Sequence, residues 1–358
     1  MDLETILRRI EPADRAAMEL AEARNDNLLK PLGSLGRLEK TAVRMAGVTG
    51  QLFNKVEKRC IIILAADNGI CEEGVAGTPQ DMTRWHIANI AGGVSGVGVL
   101  AHYAHADLKV ADIGIKGDPA CDLVLPRKIR NGTANFAKVP AMTRQEAEAA
   151  VLVGVDLVRE ARDAGYEILG TGEMGIGNTS TTSACVMALT GLSADEAVGK
   201  GGGLTDQGLD HKKEVIRAAL ALHQPDSEDP LDVLSKVGGL DIAGLVGCYL
   251  GAALYRMPIV IDGAISALAA LMAFRLAPSC ADYMFASHRS QEPSYGRCIR
   301  ELGLAPCIDL DMRLGEGTGC ALAFPLIGAA CAMLSEMHTF EQAQLDQTYR
   351  IDIRKDVP

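Results

Sequence analysis

Six short apolar runs, most rich in β-branched residues, leave this chain few folds to choose from. Each ends in glycine or a polar side chain, and helical segments separate them. The expected strands are Cys60–Ala66, Leu108–Ile113, Tyr166–Leu169, Pro258–Ile261, Asp282–Ala286 and Cys307–Leu310. Helical periodicity runs over Asp81–His102, Thr143–Ala164, Leu209–Leu222, Gly239–Tyr255 and Ala264–Leu276. Thr143-Arg144-Gln145-Glu146 opens one helix as a capping box. Strands alternating with helices mark crossover units on a parallel sheet, so the expected class is α/β. Composition agrees. Hydrophobic residues make up 48% of the chain and aromatics only 4%. An aliphatic, small-residue core of that kind suits helices laid on a parallel sheet.

Outside the alternation the chain is simpler. At 358 residues it fits one large α/β domain with a smaller appendage. Residues 1 to about 28 are helical in pattern, with a break and a new N-cap expected at Pro12 and Asp14. Lys30 to Glu39 reads as a loop leading into a helix that reaches about residue 53, and Gly114 to Ala141 as a long polar loop. The net charge of −11 argues against a nucleic-acid partner, which needs a basic face. The 10 cysteines are scattered, without CxxC or Cys/His spacing, and read as reduced core thiols rather than a zinc site or a disulfide framework. The N-terminus has no apolar h-region, and apolar runs such as Leu245 to Leu254 are too short to span a bilayer. The expected location is the cytoplasm, with no membrane partner.

The residues that follow the strands carry the functional signal. They are Asp67-Asn68-Gly69, Gly114, Gly170 through Thr179, Asp262-Gly263, Ser287-His288-Arg289-Ser290, and Met312 through Gly319. In open α/β sheets ligands bind at the carboxyl ends of the strands, where these residues collect. Gly170-x-Gly172-x-x-Gly175 formally matches a dinucleotide fingerprint, but no strand with an acidic end follows about 20 residues later. A second glycine run follows instead, Gly199-Lys200-Gly201-Gly202-Gly203. Two glycine turns, one opening a helix at Asn178-Thr179, suit a single phosphate held by backbone amides. The plain alternative is tight turns with packing glycines. Glu173 could accept hydrogen bonds from sugar hydroxyls, or be a solvated loop acid. Lys212 could neutralise phosphate, or be a solvated helix lysine. His288 belongs to no Ser/His/Asp or Cys/His set and reads as a loop-structuring residue. No spacing supports a metal, and none is expected, nor a cofactor. Glu316, set among Gly315, Gly317 and Gly319, could reach a bound substrate from a turn made flexible by glycine, or simply occupy the first turn of the apolar helix Cys320 to Met337.

At this point a resemblance becomes visible. Lys30 to Glu39, Ala65-Ala-Asp-Asn-Gly69, Gly172 to Thr179, Lys236-Val-Gly-Gly239, Asp262-Gly263, Ala286-Ser-His288 and Met312 to Gly317 together resemble the nicotinate-nucleotide:dimethylbenzimidazole phosphoribosyltransferase family, almost end to end. The resemblance implies a Rossmann-like, mostly parallel six-stranded sheet with helices on both faces. It implies a large domain over residues 31–319, a small helical domain from 1–30 with 320–358, and a dimer, either of one chain or of two paralogues. The implied reaction moves phosphoribose from nicotinate mononucleotide to an aromatic base, in the branch of cobamide synthesis that activates the lower ligand. Glu316 aligns with the catalytic base. Glu173, Gly175, Ile176, Gly177, Asn178 and Thr179 would hold ribose and phosphate, joined by Gly201, Gly202, Gly203 and Lys212. Ser290, Arg313 and Gly315 would face nicotinate.

The acceptor wall would comprise Asn68, Thr78, His86, Met174 and Leu314. Here the chain departs from the family pattern. Relatives have histidine where Asn68 stands, serine at Thr78 and glutamine at His86. The acceptor is therefore expected to be dimethylbenzimidazole or a phenol such as p-cresol. Two other readings are carried forward: a non-catalytic partner subunit of a heterodimeric transferase and, more distantly, a dehydrogenase.

Overall fold

The structure is a computed structural model in which residues 1–119, 121–352 and 354 are described. Residue 120, within the expected large domain, and residues 353 and 355–358, within the expected small one, lie outside the described residues.

The chain opens with α1 (Leu3–Arg9), α2 (Arg15–Asn27) and α3 (Arg37–Thr49). Asp14 caps α2 by accepting from Ala17 N–H at 3.0 Å, so the break at Pro12 falls where expected. The Lys30–Glu39 stretch is held by a buried ion pair: Lys30 Nζ lies 2.8 Å from Glu39 Oε1, and Asn25 Nδ2 donates to Oε2 at 3.1 Å. A charged pair this buried is tolerable because further hydrogen bonds reach the carboxylate.

The alternation then begins with β1 (Arg59–Ala66), α4 (Met82–Ala91), α5 (Gly96–Tyr103), β2 (Ala106–Gly114) and β3 (Leu125–Pro126). It continues with α6 (Arg144–Asp163), β4 (Ile168–Met174), α7 (Asn178–Thr190), α8 (Ala194–Ala197), α9 (Asp206–His223), α10 (Pro230–Val237) and α11 (Leu240–Leu254). It closes with β5 (Ile259–Ile261), α12 (Ala264–Leu276), β6 (Met284–Ala286), α13 (Tyr295–Glu301) and α14 (Thr318–Glu336). The six strands are all parallel, in the order β3-β2-β1-β4-β5-β6. That order reverses between β1 and β4, and the crevice beyond their carboxyl ends is where such sheets take ligands.

Four expectations are corrected. Cys307–Leu310 is not a strand; Ile308 makes only an isolated bridge to His288, and the sixth strand is β3, from the stretch read as all loop. The helix expected over Asp81–His102 is two helices, because Gly92 and Gly93 end the first and Ser95 caps the second by accepting from Gly98 N–H. The strand expected over Tyr166–Leu169 starts at Ile168 and reaches Met174, so Gly170 and Gly172 lie in a central strand rather than a loop. The turn after the Glu316 glycines opens α14 at Thr318, two residues before the expected Cys320.

α14 is long and apolar enough to cross a bilayer by length and composition, at mean hydropathy 1.7. In the fold it lies against the sheet, with the Cys320 thiol 3.4 Å from Thr171 O and 3.2 Å from Val260 O. Its far end joins Ala17, Ala21, Ala42 and Ala46 in a second, smaller apolar cluster. Leu28↔Thr339 and Leu32↔Asp352 bridges bring the C-terminal segment back onto the N-terminal one.

Candidate active site

A cleft of ≈ 380 Å³ opens beyond the carboxyl ends of β1 and β4. Its central side chain is Glu316. Gly315, Glu316 and Gly317 all have positive φ, at 83°, 62° and 100°. A left-handed turn of three residues needs glycine at its ends, and places a glutamate there only at some cost. The turn crosses β4 so closely that a Cβ on Gly172 would lie 2.2 Å from Glu316 O. That contact accounts for the central glycine of the dinucleotide-like match; Gly170 likewise makes room for Cys320, and Gly175 for Ala66 O. The three glycines serve packing. Asp262, after β5, fixes the turn from below: its carboxylate accepts from Gly317 N–H at 2.9 Å and from Gly319 N–H at 2.7 Å.

The Glu316 carboxylate is held on two sides. His86 Nε2 lies 2.6 Å from Oε1, and Val97 N–H donates to Oε2 at 3.1 Å. Burial alone would push this carboxyl up, but the bonds from His86 and Val97 outweigh it and hold Glu316 below its ordinary value. The same bond raises His86 above the ordinary imidazole value, against the opposing effect of burial. Glu173, on the same cleft wall, behaves in the opposite way. Burial and the neighbouring Asp241 push it up to about 8, despite the hydrogen bond from Asn178. Two carboxyls in one cleft are thus driven apart, Glu316 downward and Glu173 upward, the pattern of a divided acid and base.

At the far end the first turn of α7 meets the second glycine run. Thr179, Thr182, Ser183, Lys200, Gly201 and Gly202 line this part. Several amides there are already engaged: Ile176 N–H donates to Thr83 Oγ1, Asn178 N–H to Gly175 O and Ser180 N–H to Gly177 O. Asn178 turns its amide inward, bridging Glu173 and Asp241 Oδ2. Lys212 does not reach the cleft. It is buried, bonding Thr179 Oγ1 at 3.0 Å and Gly199 O at 3.1 Å, and burial lowers it to about 8. It therefore links the two glycine turns from behind. Gly203 also stands off the cleft, with its carbonyl pressed against Gly77.

On the other wall, Thr78, His86, Met174 and Leu314 line the cleft, and Ser290, Arg313 and Gly315 complete its rim. Asn68 is the exception. It is buried, accepting from Thr181 Oγ1 at 3.1 Å through its side chain and from Gln80 Nε2 at 2.9 Å through its carbonyl, so it braces the wall instead of facing the acceptor space. His288 is also fully buried, with Nδ1 3.2 Å from Ser287 Oγ and 3.7 Å from Asp262 Oδ1. Asp262 and Ser287 both approach the same ring nitrogen, which is not the geometry of a nucleophile triad. Asp262, Val97 and Asp241 had no assigned role in the sequence. Asp262-Gly263 at a strand end, and Gly92-Gly93 followed by Ser95, were the signals available for the first two. Among the described residues, no group of three or more His, Cys, Asp or Glu is placed to hold a metal ion.

Residues 10–345 match a protein-family model described as phosphoribosyltransferase. A nicotinate-nucleotide:dimethylbenzimidazole phosphoribosyltransferase of Clostridium perfringens is 47% identical over 352 residues, covering 98% of both chains. One of the same name from Citrifermentans bemidjiense is 49% identical over 343 residues, covering 95% of this chain and 98% of its own. The crystal structure of CobT from Thermus thermophilus superimposes with a TM-score of 0.89 at 39% identity, covering 93% of this chain and 99% of that one.

Proposed function

Since the chain belongs to the nicotinate-nucleotide:dimethylbenzimidazole phosphoribosyltransferase family, we propose that it transfers phosphoribose from nicotinate mononucleotide to an aromatic base, giving the α-riboside 5′-phosphate and nicotinate for cobamide lower-ligand activation. The observation that carries this reading is the Glu316 carboxylate. It is ionised, buried, and held over the cleft by a left-handed turn. As an acceptor nitrogen attacks C1′, the ring gains positive charge unless its N–H proton is removed, and a carboxylate at hydrogen-bond distance can remove it. The pyridinium leaving group brings its own positive charge. The α7 turn and the Lys200–Gly202 turn are proposed to hold the 5′-phosphate, with Lys212 fixing their separation, so that C1′ is presented in line.

The acceptor space is proposed to take phenols as well as benzimidazoles. Support comes from its wall: Thr78, Met174 and Leu314 offer mostly apolar contact, and His86 sets a hydrogen-bonding ring beside the base, where a phenol oxygen would lose its proton. The chain is further proposed to pair with a second copy or a paralogue. Val99 and Tyr103, one turn apart on α5, are exposed and apolar enough to contribute.

One experiment tests the set. The purified chain is incubated with nicotinate mononucleotide and equal amounts of dimethylbenzimidazole and p-cresol, and the riboside phosphates are separated. Both products are expected. Benzimidazole product alone removes the phenol reading. No product from either acceptor favours a subunit that needs a partner to be active.

A further inference from the structure

Glu316 and His86 differ in their access to water. The Glu316 side chain is 8% exposed and the His86 side chain, on the half-buried face of α4, is 28% exposed. The two touch at 2.6 Å through Glu316 Oε1 and His86 Nε2. A base that is nearly sealed, once it has taken a proton, needs a route to return it to solvent before the next turnover. The imidazole is that route, since its two ring nitrogens let it receive a proton on one side and release another on the opposite side. We propose that His86 is a positioning residue for the acceptor base, holding Glu316 in its reactive orientation and passing to solvent the proton that Glu316 removes.

This inference rests on the phosphoribosyl-transfer reading above. The acceptor's lone pair forms the bond to C1′ while the C1′–pyridinium bond breaks, its electron pair returning to the nicotinate nitrogen. The acceptor's own N–H or O–H proton moves to a free lone pair of the Glu316 carboxylate. Glu316 gives a proton to Nε2 of a neutral His86 that carries its hydrogen on Nδ1. The Nδ1 hydrogen then leaves to water, which leaves the ring as the Nε2–H tautomer donating to ionised Glu316. Loss of the Nε2 hydrogen to water and uptake of one at Nδ1 restore the starting tautomer before the next turnover.

The other groups around the pair leave this role to His86. From α5, Val97 N–H and the Ser95 hydroxyl face Glu316, and neither titrates in the working range. From β4, Glu173 is buried and bonded to Asn178. Beyond β5, both Asp262 oxygens are engaged by Gly317 and Gly319. On α4 itself the adjacent charged side chain is Arg84, whose guanidinium lies over the Trp85 ring.

The test compares the native chain with His86→Gln and His86→Ala. The relay requires neutral His86, so native kcat should rise with pH through an inflection above the ordinary imidazole value of 6.5. His86→Gln keeps a hydrogen-bond donor but cannot relay. Its kcat should fall about tenfold, less than the roughly 10²- to 10⁴-fold of a direct general base. Its inflection should move into the carboxyl range, with the KM for nicotinate mononucleotide little changed. Added imidazole should restore activity to His86→Ala. Native product with an unmoved inflection in His86→Gln, or no imidazole rescue of His86→Ala, overturns the relay alone. No product from the native chain removes the reaction from this chain acting alone, and the relay with it.

Discussion

A glutamate in the left-handed region is uncommon because its Cβ crowds the neighbouring carbonyl, and it costs on the order of 1 kcal/mol or more. Glu316 stands there at φ 62°, and the surroundings that keep it there are the same ones that present its carboxylate to the cleft. Replacing Glu316 by Gln keeps its size and one hydrogen-bond acceptor but removes the proposed base. The expected result is a kcat lower by about 10²- to 10⁴-fold with nucleotide affinity nearly unchanged, read from single-turnover rates and a binding titration. A loss below about tenfold would assign the proton to another group and leave Glu316 with positioning alone. The residue type was legible from the sequence, since a lone acid among three glycines after an apolar run is unusual. Its partner was not: His86 lies 230 positions away in the chain, and only the fold brings them together.

At the scale of elements, the site depends on how the turn before α14 is fastened to β4 and β5. Asp262 does the fastening with two backbone hydrogen bonds, one to the turn and one to the first residues of the helix. Burial pushes its carboxyl up to about 7, against the lowering effect of those bonds. Asp262→Asn sets an amide N–H₂ against one of the two N–H donors, leaving a buried donor without an acceptor. That should cost about 1–3 kcal/mol in urea unfolding. A turn shifted by even a fraction of an ångström should also lower kcat by about tenfold or more while the KM for nicotinate mononucleotide holds. Stability loss with an unchanged kcat would reduce Asp262 to a strut.

Across the whole molecule, a second property follows from the acids gathered beneath the cleft. Glu173, Asp241 and Asp262 are all pushed up by burial, to about 8, 7 and 7. In the unfolded chain they ionise near their ordinary values of 4.5, 3.8 and 3.8. Between those limits the folded chain binds more protons than the unfolded one. Stability is therefore fully present below the unfolded values and is lost as pH rises through the folded ones, each acid contributing up to about 1.4 kcal/mol per pH unit. The substrate-free chain should melt at progressively lower temperature from pH 5 to pH 8. Glu173→Gln, which cannot ionise, should flatten that decline in a thermal-shift series. An unchanged slope would mean that Glu173 is already ionised in the folded chain.

The sequence by itself determined the class of fold, the positions of most elements and the end of the sheet at which the cleft opens. These follow from local hydrophobic period, glycine and cap signals, which act over a few residues. It also brought out most of the cleft, because the polar and glycine residues after β4 and β5 and before α14 are anomalies wherever they stand. What only the tertiary structure decided is which of those residues face the cavity. Asn68 and Lys212 carry polar groups in suggestive places, yet both turn away, one toward Thr181 and the other toward Thr179 and Gly199. The short β3 strand and the loss of Cys307–Leu310 from the sheet have the same origin, since strand pairing depends on a neighbour distant in sequence. The opposed states of Glu316 and Glu173 were equally beyond local reading. Both are glutamates beside glycines, and their difference lies in the long-range neighbours that folding brings to each carboxyl: His86 and Val97 to one, Asp241 to the other.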